Sequence, residues 1–154
     1  MKSPIRPLII ALLLAPASAL AADSGPDSTA ARDPVRERVS AATERQDWPA
    51  AQATLRDALA KEPANADYHN LYAYAIRKGA NPDMSLVFKH YNEALRLDPK
   101  HRGAHEYIGE AYLMVGNLPK AKEHLAQLDK LCFLPCSEYR DLKKAVAEHE
   151  AKPR

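Results

Sequence analysis

The sequence predicts an all-α chain built as a helical repeat array, and three observations carry that expectation. From about residue 34 onward, stretches with apolar residues at helical spacing alternate with short breaks. No stretch shows the period-2 alternation rich in Val, Ile and Thr that marks a strand. Matched segments also recur. Asp57-Ala58-Leu59 through Glu62-Pro63 returns 36 residues later as Glu93-Ala94-Leu95 through Asp98-Pro99. Asp47-Trp48-Pro49-Ala50-Ala51 returns 70 residues later as Asn117-Leu118-Pro119-Lys120-Ala121, one interval of 36 and one of 34. A period near 34 residues made of two helices is the mark of stacked helical repeats.

Taken in chain order, residues 1–21 read as a secretory signal peptide. Lys2 and Arg6 precede the apolar run Leu8 to Ala15, and the small residues around Ala19 and Ala21 suit cleavage. A spanning helix needs about 20 apolar residues, so the run is too short to cross a membrane and no membrane span is expected after cleavage. Cleavage would remove Lys2 and Arg6 from the 22 basic residues, leaving 20 against 20 acidic ones. A neutral chain without a long basic run gives no electrostatic support to a nucleic-acid or anionic-membrane role. Residues 22–33 lack apolar periodicity and read as a flexible lead-in. The domain is expected over 34–150, with helices at 34–45, 48–61, 66–78, 84–97, 102–115, 118–131 and 137–150. Asp47, Asn65, Asp83 and Asn117 can each accept a hydrogen bond from free first-turn amides, and Pro49 and Pro119 fall where that turn tolerates proline.

On these residues the chain resembles the tetratricopeptide repeat (TPR) family. In the best copy His105, Ile108, Gly109 and Tyr112 occupy the W-x2-L-G-x2-Y slots, Gly116 sits at the turn, and Ala121 and Leu125 follow as A-x3-F. The middle copy carries Tyr72, Ala73, Ile76, Val87, Tyr91, Ala94 and Pro99, with extra residues placed in the turn 79–83. The first carries Val39, Ala42, Ala51, Leu55, Ala58 and Pro63, with Arg38 where an apolar residue is usual. The resemblance implies three helix pairs, at about 32–65, 66–101 and 102–135, closed by a C-terminal capping helix at 137–150. Gly109 and Ala121 are expected to be small where paired helices come close.

Little in the chain suggests catalysis. The nucleophile-elbow, P-loop and dinucleotide-binding motifs are absent, and 5 Gly leave little material for a phosphate-cradling loop. No enzyme and no cofactor are expected. Cys132 and Cys136 enclose Phe133-Leu134-Pro135 in a turn, and in an exported chain two cysteines so close most simply form a disulfide that sets how the cap docks. The rival is a metal-binding or thiol-redox accessory built on Cys132 and Cys136. His101 and His105 at i, i+4 could add ligands to it, but the three-residue Cys spacing is not the thioredoxin-like one. No metal site is expected.

The resemblance further implies a concave groove lined by the first helix of each pair. Carried over residue by residue, the groove positions are Arg36 and Ser40, then Asn70, Tyr74, Arg77 and Lys78, then Glu106, Glu110, Leu113 and Met114. They describe a groove cationic and aromatic in the middle, acidic and apolar toward the end, with Tyr74 as a candidate anchor. The family's peptide-carboxylate clamp is not expected, because Ser40 and Leu71 stand where it needs Asn. The function implied is a non-catalytic adaptor, a monomer or weak homo-oligomer, that binds a protein or peptide partner in the periplasm or outside the cell.

Overall fold

The computed structural model describes residues 33–152. The expected signal peptide and all of the expected lead-in except Asp33 lie outside the described residues. Seven helices follow in order: α1 (Pro34–Glu44), α2 (Trp48–Lys61), α3 (Ala66–Arg77), α4 (Met84–Leu97), α5 (Arg102–Met114), α6 (Leu118–Leu131) and α7 (Ser137–Glu150). Three of them stop one residue earlier than the sequence predicts, and the other four match.

Side chains begin most of these helices. Asp47, Asn65, Asp83 and Asn117 each accept first-turn amide bonds as expected. His101 caps α5 in the same way, its Nδ1 accepting from the Ala104 amide at 3.1 Å. Asp33 departs from its expected place in a flexible lead-in. It caps α1 through the Val35 and Arg36 amides and also accepts a 3.0 Å bond from the Tyr68 hydroxyl on α3, so it belongs to the folded domain.

Sequential helices pack as antiparallel pairs, α1 on α2, α3 on α4 and α5 on α6, and α7 lies against α5 and α6. The turns closing the first and third pairs place Gln46 and Gly116 in the left-handed region, at φ 56° and 73°. In each, the next amide reaches back five residues, Asp47 to Ala42 and Asn117 to Tyr112, both at 2.8 Å, which satisfies a carbonyl left free at the helix end. The extra length of the middle repeat falls in the 78–83 link, where the sequence places it.

The core runs through Val39, Leu55, Tyr72, Val87, Tyr91 and Ile108, and a second cluster of Ala121, Leu128, Leu142 and Val146 seats the last helix. The reason for Gly109 differs from the expected one. A Cβ there would lie 2.6 Å from Leu142 Cδ2, so its small size admits the cap helix α7. Arg38 is exposed because no earlier helix pair among the described residues covers that face of α1.

Candidate functional site

The alternate helices α1, α3, α5 and α7 share one face, and cavities open along it. One of about 640 Å³ is lined by residues from all four, among them Arg36, Asn70, Glu106 and Asp141. A second, of about 510 Å³, lies over Val39, Ser40, Leu71, Tyr74 and Tyr107. Arg36, Leu71 and Tyr107 border both, so the two form one trough. A smaller cavity of about 260 Å³ continues past Arg77, Glu110, Leu113 and Met114 to His149 on α7.

Most of the groove residues expected from the sequence are thus brought together. Lys78, the exposed C-cap of α3, lines none of these three cavities. The expected free cation in the middle is corrected. Arg77 is buried, with its Nη2 donating to Glu110 at 2.7 Å and its Nε to the Tyr91 hydroxyl at 3.3 Å. Its guanidinium also lies 5.5 Å from the Tyr74 ring centre and 5.7 Å from that of Tyr107. The residue braces the trough wall from behind, and the middle is aromatic. Tyr74 stands half-buried, edge-on to Trp48 at 6.0 Å and tilted against Tyr107 at 4.8 Å between centres. Burial, with Glu106 nearby, pushes the Tyr107 hydroxyl up to about 12, so it stays a neutral donor.

Polar groups in the larger cavity are unevenly matched. Arg36 and His101 both bond to Asp67 at 3.0 Å, and Arg102 faces Glu138 at 3.7 Å. Glu106 is buried and has no side-chain partner among the described residues. Burial and the neighbouring Glu110, Asp141 and Glu138 raise its carboxyl to about 7. Asn70 is only 4% exposed, and its Oδ1 has no hydrogen-bond partner among the described residues. Gly103 lies beneath it, where an added Cβ would come 3.4 Å from Nδ2.

Asp67, Glu138 and Asp141 were not among the groove residues expected from the sequence. The period carries the expected groove position Glu106 onto Arg140, and Asp141 follows only from Tyr107, which the structure places in the trough.

The residues of the metal alternative are engaged elsewhere. Cys132 and Cys136 are joined as a disulfide. His101 caps α5 and holds Asp67. His105 bonds to the Pro99 carbonyl through Nε2 and meets His124 Nδ1 to Nδ1 at 2.9 Å. His69 repeats this arrangement on Pro63 and His90. In both pairs the ring bonded to the carbonyl carries its proton on Nε2, so its Nδ1 accepts from the partner ring. The structure thus gives His69 and His105 packing and hydrogen-bonding roles, with His90 and His124 as their partners. No three His, Cys, Asp or Glu side chains among the described residues converge on one ion position.

No family model matches this sequence, and no curated protein matches it. Solved structures do. The TPR2B domain of yeast Sti1, in a complex with pHsp70, superposes with a TM-score of 0.66 at 20% identity, over 75% of this chain and 93% of that one. The Arabidopsis OM64 TPR domain superposes with a TM-score of 0.61, also at 20% identity and over 75% and 93% of the two chains. The chain has the tetratricopeptide-repeat fold expected from its motifs.

Proposed function

We propose that this protein is a non-catalytic adaptor that holds an extended segment of a partner protein in the trough between α1, α3, α5 and α7. The observation that carries the reading is the trough itself. It is continuous across the shared border of Arg36, Leu71 and Tyr107, apolar and aromatic on one side and polar on the other. A concave site with an apolar floor and a few placed polar groups suits a chain segment. The Sti1 domain of the same fold in its complex with pHsp70 supports a binding role. Tyr74 is the anchor, because a rigid aromatic side chain gives contact area at small entropic cost. The signal-like segment 1–21 and the paired cysteines support a periplasmic or secreted location.

The test is capture of partners from the exporting compartment, read by mass spectrometry, with the parent chain and with Tyr74→Ala and Leu71→Ser. Loss of the same partners with both variants supports the reading. Capture unaffected by either substitution, in chains that remain helical, overturns it.

A further inference from the structure

We propose that the larger cavity is a lysine-binding well, in which Asn70, Glu106 and Asp141 receive the side-chain ammonium of the bound segment. The inference rests on the groove reading and names the chemistry the groove selects.

Asn70 comes from α3, Glu106 from α5 and Asp141 from α7, so three helices each bring one acceptor to a single cavity. None of the three acceptors is used by another side chain among the described residues. A buried amide oxygen left unpaired costs free energy that a ligand donor recovers, and Asn70 Oδ1 is such an atom. Glu106 is buried in the well, and burial first, then the neighbouring carboxylates, raise its carboxyl.

Five carboxylates line the cavity, Asp67, Asp98, Glu106, Glu138 and Asp141, against the cations Arg36, Lys100 and Arg102. Arg36 and His101 bond to Asp67 and Arg102 lies by Glu138, while Lys100 is exposed at the rim and is not among the charges that move Glu106. Acceptors carried by three separate helices suit an ammonium, with three N–H donors around one nitrogen, better than a guanidinium, which needs coplanar acceptors. Leu71 and Tyr107 also line the cavity, giving an apolar surface for the aliphatic stem of lysine. This preference is opposite in sign to carboxylate recognition.

The experiment is an NMR titration of the folded mature chain with terminally blocked pentapeptides Gly-Phe-X-Phe-Gly, in which X is Lys, acetyl-lysine, norleucine or Glu. The Lys peptide is expected to shift the Asn70, Gly103 and Glu106 amides in a saturable way, and the acetyl-lysine and norleucine peptides to bind at least about tenfold more weakly. Glu106→Gln should weaken the Lys peptide about tenfold and leave the norleucine peptide unchanged. Equal binding of Lys and norleucine peptides, tighter binding of the Glu peptide, or no shift of these three amides with the Lys peptide each overturns the proposal. Lysine-independent shifts confined to Tyr74 and Tyr107 would remove the well and keep the groove. Lysine-specific binding in the well, together with partner capture indifferent to Tyr74→Ala and Leu71→Ser, would remove the adaptor reading and keep the well.

Discussion

Replacing Glu106 by Gln should stabilise the protein at alkaline pH and leave it unchanged in acid. The folded carboxyl titrates at about 7 against an ordinary value of 4.5, because it is buried beside Glu110, Asp141 and Glu138. Between those two values the folded state holds a proton that the unfolded chain gives up, so stability falls as pH rises across the window. The penalty is absent below 4.5 and complete above 7. The full interval corresponds to about 3 kcal/mol, at about 1.4 kcal/mol per tenfold change. The well opens to water, and solvent screening reduces this to about 1–2 kcal/mol. Gln keeps the shape and removes the charge. At about 4 °C per kcal/mol for a domain of this size, the variant should melt about 4–8 °C above the parent at pH 8 and level with it at pH 4, followed by circular dichroism. His90 and His124 titrate in the same range but are common to both chains, so the difference between the two isolates Glu106. A variant melting below the parent at pH 8, or a difference independent of pH, refutes the reasoning.

The two histidine pairs should make the fold acid-sensitive. Burial and the facing imidazole hold both His90 and His124 down to about 4, so the unfolded chain takes up protons first and stability falls as pH drops from 6.5 toward 4. Melting temperatures of the Glu106→Gln chain should decline through that window, and a flat profile would contradict neutral pairing. Gln46→Gly should stabilise by about 0.5–1 kcal/mol, because Gln46 sits at φ 56° where a side chain is strained; a loss of stability in chemical denaturation would count against the turn. Gly109→Ala should cost about 1–3 kcal/mol by forcing Leu142 away. Shortening the neighbour as well, with Leu142→Ala, should make the two changes less than additive, and full additivity would place the clash elsewhere. Opening the Cys132–Cys136 loop with paired Ser substitutions should cost about 2 kcal/mol on the chain-entropy estimate. Native protein from the exporting host should resist alkylation until reduced, and freely alkylated thiols would show the pair is open.

The sequence by itself determined the helices, their caps and the repeat, because these depend on neighbours close along the chain. Asp47, Asn65, Asp83 and Asn117 cap the helices they precede, and the motif at 105–125 marks a fold that solved structures share at only 20% identity. It also indicated three of the four helices that line the groove, since Asn70, Tyr74 and Glu106 follow from the period. Only the tertiary structure decided the state of those side chains. Arg77 has the sequence position of a groove contact, yet Glu110, 33 residues on, and Tyr91 consume its donors. Glu106 and Asn70 are unmatched because of what α3, α5 and α7 fail to place beside them, and such an absence has no sequence signature. Gly109 shows the same division: its small size was legible from the motif, but the side chain it makes room for, Leu142, lies on α7, 33 residues further along the chain. Charge pairing and burial depend on residues brought together from distant points of the chain, and the local spacing that specifies a helix does not encode them.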